Sequence, residues 1–387
     1  DTAPPAQVVV TAPSEGARLA NKKPQISWTA ATDASSGICG YKVILDDGTE
    51  ELLSKETLTY QPAFDLTDGE HTFRIVASDC AGNDGSSESR TFGTDMTPPV
   101  SFQGTSPLEN ACISTAEPVF AWQLCTDAAS GVSSLVVNVD DVAATGTLAP
   151  STVTATANRT LSEGSHSWKV RCLDKAGNVR ETPARTFRLD LTPPTVSVSA
   201  MAKVANAVQI TGTAGDQGPC GLSSVAIKVD SAGFVTTQPA SGGAWSWAWS
   251  GAANGSHTVT VHSVDGGGNP SEDAVVTVTL GTCWDLGACN ALTGKCSTAA
   301  SGLDCDDGSV CTPEDHCNAE GQCTGTTITC SDQNPCTDDT CDPLAGCTYP
   351  NNHATCNDSN ACTRTDTCSN GACTGGNPVV CAAADQC

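Results

Sequence analysis

Alternating apolar and polar residues recur along the first three quarters of the chain, at the two-residue period of strands with one buried face. A short run Val8-Val9-Val10 is followed by Gln25-Ile26-Ser27-Trp28, Tyr41-Lys42-Val43-Ile44-Leu45 and His71-Thr72-Phe73-Arg74-Ile75-Val76, with turn residues between them. The same series returns as Val119-Phe120-Ala121-Trp122, Leu135-Val136-Val137-Asn138-Val139 and His166-Ser167-Trp168-Lys169-Val170. It returns again as Val208-Gln209-Ile210, Val225-Ala226-Ile227-Lys228-Val229 and His257-Thr258-Val259-Thr260-Val261. The pattern predicts three copies of one small β-sandwich of about seven strands, each large enough to bury its own core.

The copies are separated by a junction, Asp95-Met96-Thr97-Pro98-Pro99, repeated as Asp190-Leu191-Thr192-Pro193-Pro194 and, with one change, as Asp1-Thr2-Ala3-Pro4-Pro5. A Pro-Pro pair fixes φ and holds the preceding residue extended, so neither a helix nor a central strand continues through it. The junctions lie roughly 95 residues apart, a period that suits one sandwich per repeat. The expected organisation is sandwiches at 1–95, 96–190 and 191–281 and a Cys-rich region at 282–387, all-β throughout.

Composition adds a compartment. Twenty-three cysteines without a single Cys-x-x-Cys suit disulfides made in an oxidising space rather than zinc or thioredoxin-type sites. A formal charge of -25 argues against nucleic acid or an anionic membrane as partner, and is compatible with divalent cations or simply with solubility. No apolar run approaches the ~20 residues of a membrane span, and no charged region followed by an apolar one opens the chain. Any leader or anchor is expected outside this sequence, and the protein is expected to be extracellular or on a cell surface.

Two loops recur with the strands. One is Thr32-Asp33-Ala34-Ser35-Ser36-Gly37, matched by Thr126-Asp127-Ala128-Ala129-Ser130-Gly131 and, shortened, by Gly215-Asp216-Gln217-Gly218. The other is Asp79-Cys80-Ala81-Gly82-Asn83, matched by Asp174-Lys175-Ala176-Gly177-Asn178 and Asp265-Gly266-Gly267-Gly268-Asn269. With the junctions and the turns that run from Asp68 to His71, Glu163 to His166 and Asn254 to His257, this pattern resembles the bacterial immunoglobulin-like repeats of large surface adhesins, over residues 1 to about 281. In a sandwich of that type the two loops and the incoming chain meet at one tip. Oxygen groups would then converge there: Asp1, Asp33, Asp79 and Asn83; Asp95, Asp127, Asp174 and Asn178; Asp190, Asp216, Asp265 and Asn269. The resemblance implies calcium at such joints, since hard oxygen ligands in loops suit that ion. The plainer alternative is that these residues shape turns by capping local amides.

Trp245-Ser246-Trp247-Ala248-Trp249 places three aromatics on one strand face, as a sugar platform would. Similar stretches in the resembling repeats face the core, and core packing is the reading adopted. The turn histidines have no spacing suited to a metal or a nucleophile and are read as structural. Nothing in the sequence resembles an active site.

From Cys283 the composition shifts, and seventeen cysteines follow. Complete quartets are Cys305, Cys311, Cys317, Cys323; Cys330, Cys336, Cys341, Cys347; and Cys356, Cys362, Cys368, Cys373. Repeats of about 25 residues with hardly any large apolar side chain cannot close a hydrophobic core, so cross-links must supply the order. The stretch from Cys330 to Cys347 resembles the Cys-rich repeat of slime-mould spore-coat and extracellular-matrix proteins, with similar repeats in secreted proteins of myxobacteria-like bacteria. Asp304, Asp306 and Asp307 are open to calcium or to plain turn formation. Together the resemblances imply a non-enzymatic secreted or surface protein of bacteria, a stalk, fibre or filament whose partners are neighbouring repeats or copies of itself. A glycan- or protein-binding tip, or an accessory region of a secreted enzyme, are the alternatives.

Cys39 and Cys80 are expected to pair, and Cys125 with Cys172, each bridging the second-strand region to the sixth strand. Cys112 and Cys220 are orphans in this register. Cys283, Cys289 and Cys296 read as a quartet without its first member, and Cys381 and Cys387 as one cut short. Either the polypeptide continues past Cys387 with two more cysteines, or an orphan such as Cys112 or Cys220 bonds a neighbouring subunit. In the second case non-reducing electrophoresis shows a ladder that a thiol collapses to monomer; in the first, one unchanged band.

Overall fold

The computed structural model describes residues 1–46 and 48–380, and every regular element among them is a strand. The first sandwich is made of β1 (Val10–Ala12), β2 (Ala17–Leu19), β3 (Ile26–Trp28), β4 (Ile38–Leu45), β5 (Thr49–Ser54), β6 (Thr59–Tyr60), β7 (Gly69–Asp79), β8 (Asp84–Ser86) and β9 (Arg90–Thr94). One sheet has the order β1-β3-β6; the other runs β2-β9-β7-β4-β5, with β8 beside β7. The two-residue period turns Tyr41, Val43 and Leu45 of β4 and Phe73, Ile75 and Ala77 of β7 onto Ile26, Trp28 and Phe92. Each large side chain buried there contributes about 1.5–3 kcal/mol relative to exposure.

The second sandwich repeats this plan with β10 (Gly104–Ser106), β11 (Ala111–Ile113), β12 (Val119–Trp122), β13 (Val132–Val139), β14 (Val142–Ala143), β15 (Thr154–Thr156), β16 (Gly164–Asp174), β17 (Val179–Glu181) and β18 (Arg185–Leu189). Its sheets are β10-β12-β15 and β11-β18-β16-β13-β14, with β17 beside β16. In both sandwiches a short strand runs parallel to the last one, β2 on β9 and β11 on β18. Phe120, Trp122, Leu135, Val137, Trp168 and Phe187 fill the second core. Gly104 makes room for it, because a Cβ there would lie 2.6 Å from the Trp168 ring.

The third sandwich has fewer strands: β19 (Thr195–Val204), β20 (Ala207–Gly215), β21 (Leu222–Val229), β22 (Val235–Thr237), β23 (Ala244–Ser250), β24 (Gly255–Asp265) and β25 (Ala274–Leu280). They form sheets β19-β20-β23 and β22-β21-β24-β25. Trp245 is buried in this core, and Trp247 and Trp249 are half-buried against it. No strand parallel to β25 follows from within the repeat. Instead the chain continues into β26 (Trp284–Leu286) and β27 (Ser297–Ala299) and lies along the sandwich. Cys296 N–H donates to the Thr277 carbonyl (2.9 Å) and Met201 N–H to the Gly287 carbonyl (2.9 Å), while Thr279 N–H donates to the Ser297 hydroxyl (2.8 Å). Cys296 is itself a buried member of the third core, with Leu286 and Cys289 against it. The segment covers strand edges that would otherwise expose unpaired amides.

By contacts the chain divides into two compact units, one of Asp1–Pro193, Gln217–Gly221 and Asp265–Asn269, the other of Pro194–Asp216, Leu222–Val264 and Pro270–Cys387. Within the first, Cys39 is bonded to Cys80 and Cys125 to Cys172. Cys112 and Cys220 correct the expectation that they are orphans or reach a neighbouring subunit: they are bonded to each other, 108 residues apart, with Cα atoms 6.0 Å apart. The reason is local. Cys112 lies on β11, whose end receives the Asp190 N–H at the Ile113 carbonyl, and the Asp190 carboxylate accepts the Cys220 N–H (2.9 Å), holding loop Gln217–Gly221 beside that strand.

The Cys-rich repeats follow one connectivity. First bonds fourth within a repeat, as in Cys305–Cys323, Cys330–Cys347 and Cys356–Cys373. Second bonds third of the next, as in Cys283–Cys317, Cys311–Cys341 and Cys336–Cys368. Cys289 pairs with Cys296, and Cys362 has no bonded cysteine among the described residues. Cys381 and Cys387, expected to open a further quartet, lie outside the described residues.

Replacing both Cys125 and Cys172 by Ala opens a 47-residue separation, for which chain entropy gives about 4 kcal/mol. Denaturant unfolding of the second sandwich should lose about 2–4 kcal/mol; an unchanged midpoint would contradict the bond's stabilising role.

Candidate functional site

The recurring loops build one arrangement at the start of each sandwich. In the second, the Asp127 carboxylate accepts N–H groups of Ala129, Ser130 and Gly131 (3.1, 2.9 and 2.8 Å). Asp174 accepts those of Gly177 and Asn178 (2.7 and 2.8 Å). Gly177 stands at φ 102, a left-handed geometry that suits glycine, as do Gly82 (φ 93) and Gly268 (φ 96) in the equivalent loops. Asn178 then donates its side-chain amide both to the Asp174 carboxylate (2.8 Å) and to the Asp95 carbonyl (2.9 Å).

Asp95 is shared between repeats. Its N–H donates to the Leu19 carbonyl of the first sandwich (3.0 Å), while its carboxylate accepts Ser130 N–H of the second (3.0 Å). Asp190 repeats the device: its N–H goes to the Ile113 carbonyl (2.9 Å), its carboxylate accepts Cys220 N–H, and its carbonyl accepts the Asn269 amide (2.9 Å). Both aspartates are buried. Thr97 and Thr192 anchor the following residues through their hydroxyls, to Asp68 (3.0 Å) and Glu163 (2.8 Å).

Carboxylate oxygens of Asp1, Asp33 and Asp79 lie within 4.8 Å of one another, as do those of Asp95, Asp127 and Asp174. The Ser36 hydroxyl donates to Asp1 (2.9 Å). Backbone N–H donation, first from Ser36, holds the Asp33 carboxyl below its usual range, and the Asn83 amide does the same for Asp79. In the third repeat Asp190 and Asp265 are joined through Asn269, and Asp216 directly follows the end of β20 at Gly215. Sequence reasoning counted Asn83, Asn178 and Asn269 as oxygen donors. Each directs its amide nitrogen at an aspartate, Asp79, Asp174 or Asp265, and so fixes that carboxylate. Two like charges this close repel by about 3 kcal/mol at an effective dielectric near 20. Hydrogen bonds to charged groups contribute about 1.5–3 kcal/mol each, so the amides alone can offset that repulsion, and the remaining all-oxygen set also fits a hard cation. In the Cys-rich region Asp306 and Asp307 accept N–H groups of Gly308 and Ser309, the turn-shaping role, and Asp304 pairs with His316.

A second constellation escaped the sequence reading. His71, His166 and His257 each place Nδ1 on a carboxylate, Asp46, Asp140 and Asp230 (2.7, 2.6 and 2.8 Å), and Nε2 on the carbonyl of Thr67, Ser162 or Ala253 (2.8, 2.8 and 2.9 Å). Each aspartate also accepts the next N–H in the facing strand, Thr72, Ser167 or Thr258, and sits at positive φ (48, 52 and 50). The signal was present: an aspartate directly follows Leu45, Val139 and Val229, the last inward residue of each strand. At His257 both ring contacts are to acceptors, so that ring satisfies both when protonated. These are clamps between a turn and a strand end.

The third repeat matches a family model described as a bacterial Ig domain, over residues 194–261. Together with the repeated two-sheet plan, this makes the chain a tandem of immunoglobulin-like sandwiches followed by a disulfide-rich region. Among solved structures, the fibronectin(III)-like modules of Clostridium thermocellum CbhA are 16% identical, with 47% of this chain and 93% of that one covered and a TM-score of 0.36. Chicken CNTN1 domains FN1-FN3 are 12% identical, covering 71% and 98%, TM-score 0.31. A 1.5-MDa bacterial ice-binding adhesin is 17% identical, covering 72% and 98%, TM-score 0.30. A curated relative, the cyclic nucleotide phosphodiesterase inhibitor of Dictyostelium discoideum, is 42% identical over 67 residues, 15% of this chain; the chain spans 28% of that relative's length.

The Asp230 carboxylate raises the pKa of His257, and His257 in turn lowers that of Asp230. The raised imidazole stabilises the fold fully below its unfolded value of about 6.5 and loses that contribution as pH rises through the higher folded one; the lowered carboxyl loses its contribution as pH falls below about 3.9. The difference in urea midpoint between wild type and His257→Ala should therefore be largest near pH 5–6 and shrink towards pH 9. A pH-independent difference would remove the charged clamp.

Proposed function

We propose that this chain is a non-enzymatic spacer of a secreted or surface-exposed bacterial protein, a stalk that separates or links other parts and has an adhesive role. The observation that carries this is the shared aspartate. Asp95 bonds the first and second repeats through one residue, which leaves no free linker between them. Repeats joined in this way supply length at the cost of flexibility, as stacked repeats do in general. The dense disulfides support an oxidising extracellular location, and no helix among the described residues is long and apolar enough to cross a membrane. Burial of Trp245 and partial burial of Trp247 and Trp249 speak against a sugar platform on that strand. The partners would be adjoining repeats or further copies in a fibre. Asp95→Ala should leave each sandwich folded by circular dichroism and broaden the distance distribution in small-angle scattering; an unchanged distribution would count against a stiff joint.

Calcium is the second part of the proposal, and it rests on the converging carboxylates. Asp1, Asp33 and Asp79 would hold one ion and Asp95, Asp127 and Asp174 another, the ion stiffening the joint by neutralising charge between the loops. A site half-saturated near 10 µM would add about 2.7 kcal/mol at 1 mM calcium. Thermal melting in calcium should then exceed that in chelator, and Asp127→Asn should reduce the gap. Equal melting temperatures would leave these loops as amide-capped turns.

A further inference from the structure

We propose that the disulfide network is a load bypass, which makes this protein a tether of strictly limited extension. A chain pulled from its ends lengthens only along the shortest covalent route, and residues enclosed by a taut disulfide carry no load. From Asp1 the route runs to Cys39, crosses to Cys80, continues to Cys112 and crosses to Cys220. It proceeds to Cys283, crosses to Cys317, steps back to Cys311, crosses to Cys341, steps back to Cys336 and crosses to Cys368. In the Cys-rich region the second-to-third bonds therefore form the load-bearing line. The first-to-fourth bonds stay off it and close each repeat on itself.

Along this route roughly 155 of 380 residues bear load; at ~3.5 Å per residue, with the 4.9 to 6.0 Å spanned across each of the five bridges added, the limit is about 57 nm, against about 130 nm for the unbridged chain. The shielding is uneven. Cys112–Cys220 encloses β12 to β20, and with them almost all of the second core, so the second sandwich cannot be drawn out while the bond is intact. The third sandwich is the exposed one. Its strands β21 to β25 lie between Cys220 and Cys283 on the load line, and Gly266 stands where the first sandwich has Cys80. Under tension it should be the main yielding element, releasing about 60 residues, or roughly 20 nm.

This inference rests on reading the chain as a spacer under tension, but the extension limit is a property of the molecule alone and can fail while the stalk reading stands. The test is single-molecule stretching of the whole 1–387 chain, held through peptide tags rather than thiols, with and without a phosphine reductant. The oxidised chain should stop near 57 nm to residue 380, with one dominant release of about 20 nm, and the reduced chain should approach 130 nm. A Cys112→Ala, Cys220→Ala double variant should gain about 20 nm in oxidising buffer, since only Cys125–Cys172 then shortens that stretch. Extension of the oxidised wild type close to the reduced limit would overturn the proposal, as would a folded double variant with no added length. Should the double variant fail to fold, the two wild-type limits still decide.

Discussion

Asp95 is the constraint on which the joint between the first two repeats depends, and Asp190 is buried and bonded in the same way. A buried carboxylate is stable only where hydrogen bonds replace its lost hydration. Here the donors come from the following repeat, while the N–H of the same residue is held by the preceding one. Pulling two repeats apart would leave a buried charge and a buried carbonyl without partners, a penalty of about 1–3 kcal/mol for each group. The prolines that follow reduce the freedom of the unbonded joint and so lower the entropy lost on seating it.

Much of this was legible in the sequence because it depends on local chemistry. The period-two alternation located β4, β7, β12, β13, β16, β21 and β24, since inward residues of a half-buried sheet must alternate. The junctions and the recurring Asp-to-Asn loops were visible for the same reason. The carboxylates of Asp1, Asp33 and Asp79, and of Asp95, Asp127 and Asp174, lie together as the loop pattern implied, while the contact of the Asn83, Asn178 and Asn269 amide nitrogens with their aspartates was not legible. A side-chain amide offers a nitrogen as readily as an oxygen, and only the neighbouring carboxylate decides which faces inward. The clamp aspartates Asp46, Asp140 and Asp230 were passed over because an aspartate after a strand reads first as a turn residue. Cys112 and Cys220 were misread because alignment of repeats tests for partners at equivalent positions, whereas their bond joins different elements of different repeats.

Order is maintained by different means along the chain. The first two sandwiches combine an aromatic core with an internal disulfide. The third has Val259 and Val278 where the others have Phe73 or Trp168 and Phe92 or Phe187, and no such bond, and it recruits residues 284–297, including the half-cystine Cys296, to complete its core. The shift in composition at Cys283 therefore does not mark the limit of a folded body: apolar burial continues past it, and cross-links begin before burial ends.

The second-to-third connectivity also has a consequence in time. A polypeptide is made and exported from its N-terminus, so Cys311 emerges thirty residues ahead of Cys341, and Cys336 thirty-two ahead of Cys368. Each repeat can close its own first-to-fourth bond as soon as its fourth cysteine arrives, but its second cysteine must wait for the repeat behind it. Oxidation of this region is thus vectorial, the second cysteine of a repeat being held open until the third of the next arrives.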